Sequence, residues 1–201
     1  MKIPLIHIST DYVFDGRSDV PYREEDKANP LNVYGRSKWE GENVIRSCLQ
    51  EHLIIRTSWL YGIHGNNFVK TILALARERT EIRVVADQFG SPTWTVDLAN
   101  ALVEITRFLQ KNSPSILWGT YHFCGSGQTS WYGFAQAIIS EAQLWESLEV
   151  TKVKPIATSD YPTLASRPAN SALDCSKIGQ HFGITPLAWP QALKAMISKI
   201  E

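Results

Sequence analysis

Ile3-Pro4-Leu5-Ile6-His7-Ile8-Ser9-Thr10-Asp11-Tyr12 opens on branched apolar residues and closes on two hydroxyls, a carboxylate and a phenol. Residues 3–8 have the composition of a strand buried on both faces, the kind found in parallel sheets. Open parallel sheets collect their ligands at the carboxyl ends of the strands. Thr10 is expected at that end.

Working outward, residues 11–32 read as irregular chain, with a turn at Asp15-Gly16 and breaks at Pro21 and Pro30. A helix is expected over 34–49, where Trp39, Val44, Ile45, Cys48 and Leu49 share one broad face. A second strand follows over 53–59. Helical spacing returns over 68–79, over 96–109 with Thr95 or Asp97 as cap, and over 131–142 with Ser130 as cap. Strands are expected over 82–86 and 121–124. The proline-broken stretch 154–170 reads as ordered loop. Alternating strands and helices argue an α/β protein with a mostly parallel sheet.

The chain has 201 residues, 44% hydrophobic and 20% charged, with a formal net charge of zero. Neither a charge excess nor a basic run marks a nucleic-acid partner. No apolar stretch reaches membrane-spanning length and residues 1–9 lack a signal-peptide pattern, so a cytoplasmic protein is expected. Cys48, Cys124 and Cys175 are widely spaced and show no metal-ligand pattern, which favours reduced thiols.

Tyr34 and Lys38 stand four positions apart in Tyr34-Gly35-Arg36-Ser37-Lys38. On a helix that spacing puts both side chains on one face. A free phenol is a poor proton donor near neutrality, and an ammonium one turn away favours its ionised form. The same ammonium can reach ribose hydroxyls, and a threonine hydroxyl at a strand end can hold a carbonyl oxygen. The pair alone is common by chance. Joined to 9–16, to Glu24, Glu25 and Asp26, and to Asn29-Pro30-Leu31-Asn32-Val33, it is a much rarer string.

That string resembles the extended short-chain dehydrogenase/reductase superfamily and, within it, the dTDP-4-dehydrorhamnose reductases. Arg56-Thr57-Ser58-Trp59-Leu60-Tyr61-Gly62, Asn66-Asn67-Phe68-Val69, Asp87-Gln88-Phe89-Gly90-Ser91-Pro92-Thr93, Gly119-Thr120-Tyr121-His122 and Arg167-Pro168-Ala169-Asn170-Ser171 resemble that family's segments in the same order. The resemblance implies a partial Rossmann-like sheet with a smaller α/β substrate-binding lobe. Residues 1–62 would carry the catalytic segment, and 63–201 would form mainly the lobe, partly threaded back onto the sheet.

The implied activity is NADPH-dependent reduction of the 4-keto group of dTDP-4-dehydro-L-rhamnose to dTDP-L-rhamnose, a step toward cell-surface polysaccharide. NADH is the alternative cofactor. The alternative functions are a non-catalytic binding or regulatory subunit of the superfamily and another nucleotide-sugar reductase or epimerase.

Carried over residue by residue, Thr10, Tyr34 and Lys38 become the catalytic trio. Tyr34, Lys38, Thr57 and Ser58 would touch the cofactor, and Asp11, Tyr12, Trp59, Asn67, Arg167 and Asn170 the substrate. Trp59 has a competing reading as a core residue. Some members of the family use Mg2+, for which no ligand set is identified in this chain.

No glycine-rich strand-to-helix turn stands before Thr10, and Gly125-Ser126-Gly127 lacks the third glycine and the acidic partner of a dinucleotide fingerprint. The chain is therefore expected to be the carboxyl-terminal part of a reductase and to bind NADPH weakly or not at all alone. The edge of its first strand is expected to be covered by another copy in a homo-oligomer or by a separate amino-terminal piece, and the chain alone to associate or be poorly soluble.

Overall fold

The computed structural model describes residues 3–111 and 117–200. Its first strand, β1 (Leu5–Thr10), runs into a 3-10 turn over Asp11–Val13, and the first helix, α1, spans Val33–Cys48. β2 (His52–Thr57) is buried at every position and lies in the middle of a three-stranded parallel sheet, with β1 on one side. The register pairs Leu5 with His52 and Thr10 with Thr57.

β3 (Leu60–Tyr61), α2 (Phe68–Glu78), β4 (Glu81–Val85), β5 (Phe89–Gly90), β6 (Thr93–Trp94) and α3 (Thr95–Lys111) follow. The chain then returns to the sheet as β7 (Gly119–His122), which pairs with the free side of β2. β8 (Thr129–Ser130), α4 (Trp131–Ala142), β9 (Lys152–Ile156), α5 (Ser176–Phe182) and α6 (Trp189–Ile197) complete the order.

Helix starts follow local chemistry. Asn32, Asn67 and Ser130 each accept a main-chain N–H three residues on, at Gly35, Lys70 and Gly133. Such caps satisfy donors that a helix leaves open. Gly183, at φ +71°, ends α5 in the left-handed conformation that glycine adopts without strain.

Three apolar clusters are found among the described residues, of which the two larger organise most of the packing. Leu53 and Ile55 of β2 meet Leu98, Ala101 and Ile105 of α3, Tyr121 of β7 and Ile178 of α5. The second cluster gathers Val69, Ile72, Leu73 and Ala76 of α2 with Phe134, Ala135 and Ile138 of α4 and Leu193 and Met196 of α6.

Two expectations need correction. The first strand begins at Leu5, not at residue 3: Pro4 has no N–H for the ladder, and Ile3 is 76% exposed. It is also not fully buried: only Ser9 and Thr10 of β1 are buried, and the strand lies at the edge of the sheet among the described residues. The stretch 154–170 is not all loop. Residues 154–156 lie in β9, which pairs in parallel with β4 over all five positions despite Pro155. β9 pairs with β4 alone, an edge position where a missing N–H is tolerated.

Candidate active site

The end of β1 and the start of α1 meet through Gly35. A Cβ at this position would collide with the Tyr12 carbonyl and press on Pro30, so only glycine lets the first turn of α1 sit this close. The approach puts the Tyr34 ring edge-on to Tyr12, centroids 6.1 Å apart and planes at 81°. Tyr34 is 55% exposed, and its hydroxyl has no hydrogen-bond partner among the described residues.

One turn on, Lys38 Nζ donates to the carbonyl of Ile8 in β1 at 2.6 Å. Thr10 follows two residues later. The structure thus brings Thr10, Tyr34 and Lys38 to the carboxyl end of β1.

Thr10 is engaged on both sides. Its Oγ1 accepts from the Tyr12 N–H at 3.2 Å and donates to Asp11 Oδ1 at 3.0 Å. Asp11 is buried, and its Oδ2 has no partner. Burial pushes this carboxyl up to about 7, opposed by the nearby Ser171 hydroxyl and by the hydrogen bond from Thr10. Tyr12 is half-buried, and burial, with the Asp11 charge beside it, raises its phenol.

Beyond Lys38, the same helix face continues at four-residue spacing with Glu42 and Arg46. Glu42 is fully buried and accepts from Ser9 Oγ (2.5 Å), Arg56 Nε (3.0 Å), Arg56 Nη2 (2.8 Å) and Arg46 Nη2 (2.6 Å). Burial alone would raise this carboxyl, but the hydrogen bonds and charge of Arg56, with Ser9 and Arg46, hold it below its ordinary range. Ser9 precedes Thr10 and Arg56 precedes Thr57, so one carboxylate ties α1 to both strand ends. Sequence reading missed this tie, although the ladder Tyr34, Lys38, Glu42, Arg46 is a visible spacing.

At the end of β2, Thr57 Oγ1 is buried without a partner, whereas Ser58 Oγ donates to the Ser91 carbonyl at 2.7 Å. Trp59 adopts φ +45° and stacks on Trp131 with centroids 3.5 Å apart. A Cβ on Gly90 would come within 2.5 Å of the Trp59 ring. This indole is half-buried and packs on the α2–α4–α6 cluster.

The two asparagines serve the backbone. Asn67 Nδ2 donates to Gly62 at 2.7 Å while its oxygen caps α2. Asn170 Nδ2 donates to Ser18 at 2.7 Å, and its oxygen accepts from Ala172 N–H and from Gln128.

Arg167 is exposed and forms no hydrogen bond or ion pair among the described residues. It lines two clefts. One, of about 470 Å3, also holds Tyr12, Tyr34 and Arg36. The other, of about 230 Å3, holds Phe68, Arg83, Trp131 and Tyr161. Asn32 Nδ2 donates to the Ser166 carbonyl at 2.8 Å and fastens this segment to the start of α1. The aromatic cleft escaped sequence reading because its walls come from four separate parts of the chain. Among the described residues, no group of three or more His, Cys, Asp or Glu is placed to hold a metal ion.

A family model described as the RmlD substrate binding domain matches residues 1–201. A dTDP-4-dehydrorhamnose reductase from Aggregatibacter actinomycetemcomitans is 50% identical over 191 residues, which cover 94% of this chain. The chain spans 65% of the length of that curated relative.

Among solved structures, a dTDP-4-dehydrorhamnose reductase from Clostridium acetobutylicum superposes with a TM-score of 0.89 at 38% identity, over 98% of this chain and 66% of its own. One from Bacillus anthracis, in complex with NADP, gives 0.86 at 39% identity over the same shares. No helix among the described residues is long and apolar enough to cross a membrane. With its whole described length matched, the chain belongs to the RmlD substrate binding domain family.

Proposed function

We propose that this chain is the catalytic and substrate-binding part of an NADPH-dependent nucleotide-sugar reductase that converts dTDP-4-dehydro-L-rhamnose to dTDP-L-rhamnose. The observation that carries the reading is the convergence of Tyr34, Lys38 and Thr10 at the carboxyl end of β1, beside a cleft edged by the unpaired Arg167. The names of the relatives, and the NADP in one of them, support it. A cytoplasmic setting, a role in surface polysaccharide synthesis and the division into a catalytic segment (1–62) and a substrate side (63–201) belong to the same proposal.

The donor set suits a nicotinamide dinucleotide. Tyr34 has a hydroxyl with no internal partner, Lys38 is an ammonium held at one spot, and Thr57 has a buried Oγ1 with nothing to bond. When bound, the cofactor supplies the hydride. Tyr34 delivers the proton to the 4-keto oxygen as general acid. Thr10 holds that oxygen once its hydroxyl turns away from Asp11. Lys38, pinned by the Ile8 carbonyl, holds the ribose. Arg167 offers a planar donor fork to diphosphate oxygens, and the aromatic cleft offers Phe68, Trp131 and Tyr161 to a base.

The test joins this segment to the amino-terminal portion of the Aggregatibacter relative and follows NADPH oxidation with the 4-keto sugar nucleotide. Sugar-dependent oxidation that yields the 4-hydroxy product is expected. If both ligands bind without turnover, the non-catalytic binding subunit becomes the better reading.

A further inference from the structure

Cys124 and Cys175 are 51 residues apart in sequence, yet the fold brings their Sγ atoms to 3.5 Å. Cys124 lies two residues beyond the end of β7, and Cys175 immediately precedes α5. The Cys124 N–H donates to Cys175 Sγ at 3.3 Å, and the Cys124 thiol lies 3.7 Å from the Leu173 carbonyl.

A buried cysteine is ordinarily a small apolar side chain, but this pair is not sealed. Both residues line a cleft of about 380 Å3, together with Gly125, Ser126, Ile184 and Pro186. Cys124 itself is 2% exposed and Cys175 is partly exposed, so a solute of a few atoms meets the pair through that cleft.

The two thiols are unequal. The hydrogen bond between them holds the Cys124 thiol below its ordinary range, with Ser91 assisting, and pushes Cys175 up. Thiolate is the reactive form of cysteine. One member is thus disposed to attack, and its neighbour, within bonding reach, to resolve.

We propose that Cys124 and Cys175 form an oxidative modification site, at which a hydroperoxide converts two thiols into one intramolecular disulfide. The Cys124 sulfur attacks a peroxide oxygen; an S–O bond forms, the O–O bond breaks, and the departing hydroxide takes a proton to become water. The Cys175 sulfur then attacks the sulfenic sulfur. An S–S bond forms, the S–O bond breaks, and the second water carries away the Cys175 proton. Two electrons pass from the thiols to hydrogen peroxide, and two thiols plus one peroxide give one disulfide and two waters.

The sulfurs close from 3.5 Å to about 2.05 Å. The bond ties the end of β7 to the segment that carries Ser171, which contacts Asp11 behind the Thr10 site. The site stands independently of any catalytic reading.

The experiment treats this chain, with Cys48→Ser to remove the exposed thiol, with hydrogen peroxide, and then alkylates, digests and maps it. A Cys124–Cys175 linked peptide, loss of both remaining titratable thiols and full recovery with dithiothreitol are expected. In the Cys175→Ser variant, dimedone should trap a sulfenic acid on Cys124. Because the linked peptide is also sought in the unsubstituted chain, a variant that fails to fold does not decide the matter. The proposal is overturned if both cysteines remain alkylatable, if Cys124 passes to sulfinic acid without a linked peptide, or if the unsubstituted chain yields only Cys48-linked dimers.

Discussion

Lys38 is fixed to the strand that ends at Thr10: its Nζ donates to the Ile8 carbonyl at 2.6 Å. The ammonium therefore does not sweep through solvent like a surface lysine, and its place relative to Thr10 and Tyr34 is set by main chain. In the joined reductase, Lys38→Met should weaken NADPH binding and lower turnover together. Tyr34→Phe should lower turnover about 10²–10⁴-fold with substrate binding nearly unchanged. Because the Tyr34 hydroxyl has no internal partner, its removal should shift stability by less than about 0.5 kcal/mol. Steady-state kinetics, cofactor titration and urea melts separate the two effects, and near-normal kinetics in Tyr34→Phe would exclude the phenol as proton donor.

Glu42 and Arg56 are 0% and 1% exposed in side chain, whereas Arg77 and Glu146, paired with similar bidentate geometry, are 48% and 35% exposed. Removing one partner of a buried pair strands a charge in the interior and costs about 3–5 kcal/mol. An exposed pair is worth about 0–1 kcal/mol. Glu42→Gln should therefore destabilise the chain severely and Arg77→Ala hardly at all. Urea midpoints of this chain measure both, and equal losses would contradict the contrast in burial.

Asp11 gives a signed pH effect. Its carboxyl, pushed up to about 7 by burial from an ordinary value of 3.8, binds a proton more tightly folded than unfolded. Its contribution to stability is thus fully present below the unfolded value and is lost as pH rises through the folded one. Asp11→Asn imitates the protonated carboxyl. The variant should gain stability relative to the parent as pH rises from about 4 to about 7, with no further gain above. Paired urea melts across that range check the slope, and a constant difference would show that Asp11 ionises normally.

The outer side of β1 makes no strand pair among the described residues; Leu5 at its start is 37% exposed and Ile3, just before it, 76%. Unpaired edges with apolar side chains recruit other chains. This chain alone should self-associate, and Leu5→Lys should reduce the association without a matching loss of secondary structure. Light scattering against concentration decides it. A stable monomer of the unsubstituted chain at high concentration would count against a homo-oligomer.

Short-range features were legible in the residues themselves. α1, α2 and α4 could be located because their apolar spacing repeats within a few turns and α4 opens on its Ser130 cap. The Tyr34–Lys38 pairing was readable for the same reason, since a helix converts a spacing of four into a shared face. β2, built on the apolar run Leu53-Ile54-Ile55, needed no partner to be recognised.

What the tertiary structure alone decided depends on pairs far apart in the chain. β9 forms although Pro155 argues against it, because β4 lies alongside. Gly35 matters because the Tyr12 carbonyl arrives from another segment. Asn67 and Asn170, which the family resemblance offers as substrate contacts, turn their amides to the carbonyls of Gly62 and Ser18. The hydroxyl of Thr10 is held by Asp11, whose carboxyl is raised by burial, a shift opposed by Ser171, 160 residues away by the numbering. Burial and hydrogen-bond partnership are properties of what surrounds a side chain, and no local pattern of residues encodes those surroundings.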